Sequence, residues 1–173
     1  MFPRVTFIVG GAASGKSSWA EEFTINSEKP KTYLATSQIL DIEIQAKIDR
    51  HRSQRGTGWT TVESPLHLTD ILAGLPAGHI CLMDCATMWL SNHLLAGSDL
   101  AAQQTSLLTA ITTCPAHLVI VSNEVGQGIV PDNALARQFR EAQGRLNIAL
   151  AAQANLVVQI TVGLPTVLKG QLP

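Results

Sequence analysis

The sequence predicts an α/β fold with a mostly parallel central sheet and helices on both of its faces. Five short apolar runs recur along the chain, and the segments between them are long enough to hold helices. Strands that alternate with helices form parallel crossovers, which cover a sheet on both sides. Because 173 residues is the size of one ordinary domain, we expect a single domain over residues 1–173.

The predicted strands are short runs bounded by turn residues. The first is Val5-Thr6-Phe7-Ile8-Val9, which runs directly into a glycine pair. The other four lie at residues 32–35, 80–83, 118–121 and 156–160.

Four segments between these strands are predicted to be helical. One follows the glycine pair at 17–24, one covers 41–55, and a weaker one, rich in Gln and Thr, covers 100–113. The fourth, at 134–154, has a Pro131-Asp132-Asn133 start signal. Its apolar residues repeat at spacings of three and four, as one helix face requires: Leu135, Phe139, Ala142, Leu146 and Leu150.

The charge of the chain argues against a nucleic-acid-binding protein. Twelve Lys and Arg against thirteen Asp and Glu give a net charge of −1, whereas affinity for nucleic acid comes from many basic groups. No Lys or Arg lies between Gly56 and Ala136. An anion would therefore have to be bound where the two basic ends of the chain meet.

Cysteine usage and hydropathy favour a cytoplasmic protein. Cys81, Cys85 and Cys114 are an odd number without disulfide or zinc spacing, so we expect reduced core residues. No window of the sequence approaches the ~20 apolar residues of a membrane span.

The residues after the first strand fit a phosphate-binding loop. Gly10-Gly11-Ala12-Ala13-Ser14-Gly15-Lys16-Ser17 matches G-x-x-x-x-G-K-[ST] between a strand and a helix. In such a loop, backbone N–H groups and the helix N-terminus surround the phosphates. Lys16 then reaches the β- and γ-phosphates as a catalytic group, and the Ser17 hydroxyl binds Mg²⁺.

This chemistry also needs a carboxylate near the metal, at the end of another parallel strand. Asp84 ends the run Ile80-Cys81-Leu82-Met83 and is the first candidate. Glu124, which follows the run at 118–121, is the alternative.

Residues 48–55 place one imidazole among three guanidinium groups. A neutral His51 could attack phosphorus, with Arg52 and Arg55 binding phosphate oxygens. From the residues by themselves, a solvated basic helix face that carries an incidental histidine is the favoured interpretation.

Four segments together resemble the bifunctional adenosylcobinamide kinase / adenosylcobinamide-phosphate guanylyltransferase family. These are the glycine loop with Tyr33-Leu34-Ala35-Thr36-Ser37; Ile48-Asp49-Arg50-His51-Arg52-Ser53-Gln54-Arg55; Asp84-Cys85-Ala86-Thr87-Met88-Trp89-Leu90-Ser91-Asn92; and Ser122-Asn123-Glu124-Val125-Gly126-Gln127-Gly128. The resemblance covers essentially the whole chain.

The resemblance implies a RecA-like P-loop fold and two reactions. A nucleoside triphosphate, ATP or GTP, phosphorylates adenosylcobinamide, and GTP then donates GMP to adenosylcobinamide phosphate. The histidine that carries GMP in the family corresponds to His51.

The resemblance further implies a set of nucleotide contacts and an oligomer. The contacts are Tyr33, Leu34, Ala35, Arg52, Ser53, Gln54, Arg55, Glu63 and Asp84, with Glu63 suited to the guanine edge and Ser17 and Asp84 suited to Mg²⁺. The family forms trimers, so we expect a homotrimer, with Trp89 and Leu90 as candidate contact residues.

Two other functions remain open at this point. In a plain small-molecule kinase, His51 would only bind phosphate. A nucleotide-switched nucleic-acid module of the recombinase type is the second, against which the charge distribution argues.

Overall fold

The computed structural model describes residues 2–38 and 56–173. The predicted helix over 41–55, and with it His51, Arg52, Ser53, Gln54 and Arg55, lies outside the described residues. The strands are β1 (Val5–Gly10), β2 (Lys31–Ala35), β3 (Trp59–Glu63), β4 (Ile80–Asp84), β5 (His117–Asn123), β6 (Leu156–Thr161) and β7 (Leu164–Lys169). The helices are α1 (Lys16–Ile25), α2 (Thr69–Gly74), α3 (Ala86–Leu95), α4 (Leu100–Thr113) and α5 (Ala134–Gln153).

The seven strands form one sheet in the order β3-β2-β4-β5-β1-β6-β7. All neighbouring strands are parallel except β7, which pairs with β6 in the antiparallel direction. The first strand of the chain therefore lies deep in the sheet, between β5 and β6. The carboxyl ends of the six parallel strands meet at one edge, where ligands bind in open α/β sheets.

Helices cover both faces of the sheet, as the sequence predicts. On one face, Ala20 and Phe23 of α1 pack on inward residues such as Ile8, Leu82 and Val121. On the other face, α2, α3, α4 and α5 pack on the alternate strand residues. Their buried apolar residues there include Leu72, Trp89, Leu90, Ile111, Leu146 and Leu150. Successive strand residues point to opposite faces, so both faces of each central strand are apolar.

All five predicted strands and the helices at 17–24, 100–113 and 134–154 are present. The structure adds β3, β7, α2 and α3, which the apolar pattern does not indicate. All three cysteines are buried and unpaired, in agreement with the expected core role. Among the described helices, none is long and apolar enough to cross a bilayer.

The expectation that Trp89 and Leu90 contact neighbouring subunits is wrong. Each side chain is only 2% exposed, and both belong to the core beneath α3. The Trp89 ring packs edge-on against His93 with centroids 4.7 Å apart, and its Nε1–H donates to Leu66 O at 3.1 Å. His93 is likewise buried.

Candidate active site

The loop between β1 and α1 turns sharply at its glycines. Ser14 N–H donates to Gly11 O at 3.3 Å, and Trp19 N–H donates to Gly15 O at 3.0 Å as the first turn of α1 forms. Gly15, the N-cap of α1, has φ 92° and ψ 3°. An L side chain rarely adopts this conformation, so glycine is required at the point where the loop enters the helix.

The loop rests on β6 and on the turn that follows it. Gly163 N–H donates to Ser14 O at 2.8 Å. A Cβ on Gly10 would lie 2.5 Å from Ile160 O and 2.6 Å from Ser14 Oγ. The sequence pattern finds the loop but not this support, because Gly163 is remote from it in the chain.

Lys16 is the first residue of α1 and is largely buried. Its Nζ donates to Gly11 O at 3.0 Å, which folds the side chain back over the loop. Burial lowers the pKa of Lys16, while the nearby acidic groups of Cys85 and Asp84 act in the opposite direction. Because burial raises the pKa of the Cys85 thiol to about 12, Asp84 supplies the negative charge that favours the ammonium form.

Asp84 ends β4, on the far side of β5 from the loop. Its Oδ2 accepts a hydrogen bond from the Tyr33 hydroxyl at 3.1 Å. The next residue is held by Thr36, whose Oγ1 donates to Cys85 O at 2.7 Å and accepts from Cys85 N–H at 2.8 Å. The structure therefore brings Asp84 and Tyr33, two of the predicted site residues, into direct contact.

Glu124 follows β5, the strand adjacent to β1. Its N–H donates to Gly10 O at 2.9 Å, so it joins the first residue of the phosphate-binding loop. Its Oε1 accepts a hydrogen bond from Gly126 N–H. Both carboxylates that the sequence singles out thus lie at the carboxyl edge of the sheet, and Glu124 is the one next to β1.

A buried polar cluster behind β5 was missed in the sequence. It consists of Thr87, Ser122, Gln143 and Asn147, contributed by α3, β5 and α5, and all four are buried. Ser122 Oγ donates to Asn147 Oδ1 at 2.7 Å and accepts from Gln143 Nε2 at 2.9 Å. Its only hydrogen is used by Asn147, so Thr87 Oγ1 is the donor in the 3.3 Å contact with Ser122 Oγ.

The remaining predicted contact residues lie on the two strands farthest from the loop. Leu34 is fully buried in the core, so its side chain does not line the edge where a nucleotide would bind. Ala35 pairs with Glu63, and both end their strands at the same edge as Asp84. The side chain of Glu63 is exposed there.

The donors at this edge suit Mg²⁺ bound together with a nucleotide. Mg²⁺ is usually held by one or two carboxylates, waters and substrate phosphates rather than by a cage of protein ligands. Ser17, on the first turn of α1, and Asp84 offer a hydroxyl and a carboxylate. Across residues 2–38 and 56–173, no group of three or more His, Cys, Asp or Glu is placed to hold a metal by itself.

P-loop proteins bind nucleotide phosphates with a glycine loop of this kind. The loop connects a central parallel strand to a helix, and its lysine folds over it. The fold and the site together place this chain among the P-loop NTPases.

Comparison with known sequences identifies the family. A model of the cobinamide kinase / cobinamide phosphate guanyltransferase family matches residues 6–168. The chain is 40% identical to the bifunctional adenosylcobalamin biosynthesis protein CobU of Escherichia coli, over 94% of this chain and 98% of that protein. It is 38% identical to the corresponding protein CobP of Pseudomonas aeruginosa, over 95% of this chain and 96% of that protein. The chain belongs to the cobinamide kinase / cobinamide phosphate guanyltransferase family.

Solved structures support the fold. The P4 protein of bacteriophage phi6 in complex with ADP is similar with a TM-score of 0.53 and 17% identity, over 96% of this chain. An ATPase of the type III secretion system of pathogenic bacteria gives a TM-score of 0.56 and 12% identity, over 95% of this chain. The chain covers 54% and 56% of those two proteins. These similarities confirm the RecA-like P-loop architecture that the sequence resemblance implies.

Proposed function

We propose that the protein catalyses two successive transfers to a corrinoid. A nucleoside triphosphate first phosphorylates the hydroxyl of adenosylcobinamide, and GTP then transfers GMP to the phosphate so formed. The family match supports this pair of reactions. The observation that carries it structurally is the phosphate-binding loop, closed between Gly163 and the folded-back Lys16.

The nucleotide site extends along the carboxyl edge of the sheet. Residues 10–17 bind the β- and γ-phosphates, and Ser17 and Asp84 hold Mg²⁺, which stabilises the charge on those phosphates. Glu63 accepts from the guanine edge. Since β3 is four strands from β1, Glu63 lies about 19 Å from the loop across the sheet. A GTP molecule that contacts both must therefore lie extended over β5, β4 and β2.

The GMP transfer passes through His51, which lies outside the described residues. The neutral imidazole attacks the α-phosphorus, so a P–N bond forms while the bond to the β-phosphate oxygen breaks and pyrophosphate leaves. Arg52 and Arg55 hold the α-phosphate oxygens as charge develops. The phosphate of the corrinoid then takes the GMP, because an imidazole that can be protonated is a good leaving group.

A labelling experiment tests the intermediate. The protein is incubated with Mg²⁺ and GTP labelled at the α- or the γ-phosphate, denatured, and the bound label is tested with acid and base. We expect label from the α-position alone, labile in acid and stable in base, and none on a His51→Ala variant. His67→Ala is the matched control, because His67 is exposed on a loop of the described part.

A kinase without GMP transfer gives a different result. It would phosphorylate adenosylcobinamide but retain no covalent label from either position, and His51→Ala would leave its activity unchanged. That outcome would remove the guanylyl-histidine step and leave the kinase.

The assembly and the compartment complete the proposal. We propose a homotrimer, so mass measurement in solution should give three times the 18.5 kDa of one chain, and a monomer alone would contradict it. The three buried thiols, none of them paired, suit the reducing cytoplasm.

A further inference from the structure

Phosphorylation of a hydroxyl requires an acceptor for its proton. The hydroxyl oxygen forms a bond to the γ-phosphorus while the bond between that phosphorus and the β–γ bridging oxygen breaks. The nucleoside diphosphate leaves with the electron pair, and the hydroxyl proton must go to a base within hydrogen-bond reach.

Glu124 is attached directly to the loop that holds the phosphate-binding lysine. Its N–H and Lys16 Nζ donate to consecutive carbonyls of the loop, Gly10 O at 2.9 Å and Gly11 O at 3.0 Å. A lysine at this position of the loop reaches the β- and γ-phosphates. The backbone of Glu124 is therefore fixed beside the place where the γ-phosphate is transferred.

The carboxylate of Glu124 has one oxygen held and one oxygen available. Gly126 N–H donates to Oε1, while Oε2 has no hydrogen-bond partner among residues 2–38 and 56–173. A Cβ on Gly126 would lie 2.8 Å from Oε1, so a larger residue there would shift this carboxylate. Arg140 Nη2 donates to Gly126 O and ties the same turn to α5. A base needs this combination of a fixed position and a free lone pair.

The residue before Glu124 is held from two sides by the buried polar cluster. Asn123 N–H donates to Thr87 Oγ1 at 2.7 Å, and Asn123 O accepts from Asn147 Nδ2 at 3.0 Å. Both of these side chains belong to the cluster centred on Ser122. A buried polar cluster with linked donors and acceptors holds one geometry, since each broken contact leaves a polar group without water. These hydrogen bonds fix the backbone next to Glu124, as the positioning of a catalytic side chain requires.

The other candidate carboxylates are less suited to this role. Asp84 is separated from β1 by β5, and its Oδ2 already accepts from the Tyr33 hydroxyl. Glu63 lies on the far edge strand of the sheet.

We propose that Glu124 is the general base of the phosphorylation step: its Oε2 accepts the hydroxyl proton of the corrinoid as that oxygen attacks the γ-phosphorus. This inference rests on the proposed kinase activity. The two carboxylates at the centre of this edge then have separate roles. Asp84 holds the metal ion, and Glu124 takes the proton of the acceptor hydroxyl. GMP transfer needs no proton from a hydroxyl, because its acceptor is a phosphate.

The test compares the two half-reactions in the full-length protein. Glu124→Gln keeps the size and the contact with Gly126 N–H but cannot take the proton. We expect kcat for phosphorylation of adenosylcobinamide to fall about 10²- to 10⁴-fold. KM for ATP, the Mg²⁺ concentration for half-maximal rate, and GMP transfer to chemically supplied adenosylcobinamide phosphate should each change less than about threefold. Glu141→Gln, which changes an exposed carboxylate on α5 that pairs with Arg145, is the matched control.

Three results would overturn the assignment. Phosphorylation that continues at the normal rate shows that the proton goes elsewhere. A large rise in the half-saturating Mg²⁺ concentration makes Glu124 a metal ligand instead. Equal loss of both half-reactions shows a shared structural role. If the unmodified protein phosphorylates no cobinamide, the proposed function fails together with this inference, whereas the first three results contradict the base assignment alone.

Discussion

Two adjacent glycines at the start of the phosphate-binding loop should respond very differently to the same substitution. A Cβ on Gly10 would lie 2.5 Å from Ile160 O, whereas a Cβ on Gly11 would meet nothing within 4 Å. Ordinary van der Waals contact begins near 3.4 Å, so Gly10→Ala requires a displacement of about 1 Å between β1 and β6. Because the obstacle is backbone in the middle of the sheet, it cannot rotate away as a side chain could.

Overpacking of this kind costs about 2–3 kcal/mol of the free energy of unfolding. For a domain of this size, each kcal/mol lowers Tm by roughly 2–4 °C, so Gly10→Ala should unfold about 5–10 °C below the unmodified protein. Gly11→Ala should stay within about 2 °C, since surface changes without contacts cost at most about 0.5 kcal/mol.

The measurement is thermal and urea unfolding of both variants without nucleotide, with the urea m-value as a check on two-state behaviour. Equal Tm values for the two variants would refute the argument, because they would mean that β1 and β6 do not approach as closely at Gly10 as described. Similar losses in both variants with an altered m-value would point to a changed unfolded state instead.

Two further predictions concern the edge of the sheet and the core. Asp84→Asn should raise the half-saturating Mg²⁺ concentration of the kinase reaction at least about tenfold. Tyr33→Phe keeps the carboxylate but removes its hydrogen bond, so it should have a smaller effect. An unchanged Mg²⁺ titration of the Asp84 variant would exclude a metal role for Asp84. Burial raises the pKa of Cys81 and Cys114, and that of Cys85 to about 12. The native protein at pH 8 should therefore resist iodoacetamide, while the denatured chain takes three labels. Mass spectrometry measures both, and label on a thiol of the native protein would contradict the prediction.

The sequence predicts the parts of the fold whose signal is local. β1, the glycine loop and α1 follow one another within residues 5–25, and each central strand is an unbroken apolar run because both of its faces are covered. The same reasoning fails for α3, which is buried on most sides. Trp89, Leu90, Asn92 and His93 are all buried there, so α3 shows no apolar face with a helical period.

The edge strands were missed for the opposite reason. Every residue of β7 is exposed, and β7 contains Pro165, which cannot donate a ladder hydrogen bond. β3 at the other edge is mostly exposed as well. Apolar patterning has little to detect in such strands, because their position is fixed by pairing with β6 and β2 rather than by burial.

The sequence predicts only those parts of the candidate site that lie within one continuous motif. The loop and the acids at strand ends were found, but the polar cluster behind β5 joins residues from three separate elements. Gln143 and Asn147 stand one position after Ala142 and Leu146 on α5, beside the predicted apolar face. Leu135, which that pattern assigns to the buried face, is 47% exposed. A helical period cannot reveal that the adjacent polar positions are the ones that meet Ser122.

The central position of β1 in the sheet constrains the order in which the protein can fold during its synthesis. The ribosome releases the phosphate-binding loop well before β5 and β6, the two strands that flank β1 in the sheet. Val5 N–H, for example, donates to Asn155 Oδ1, which lies 150 positions later in the chain. Ser14 O likewise accepts its hydrogen bond from the N–H of Gly163. The nascent chain must therefore keep this apolar strand unpaired until β5 and β6 have emerged, which exposes it to aggregation. Nucleotide can help to complete folding only after β6 and Gly163 have emerged.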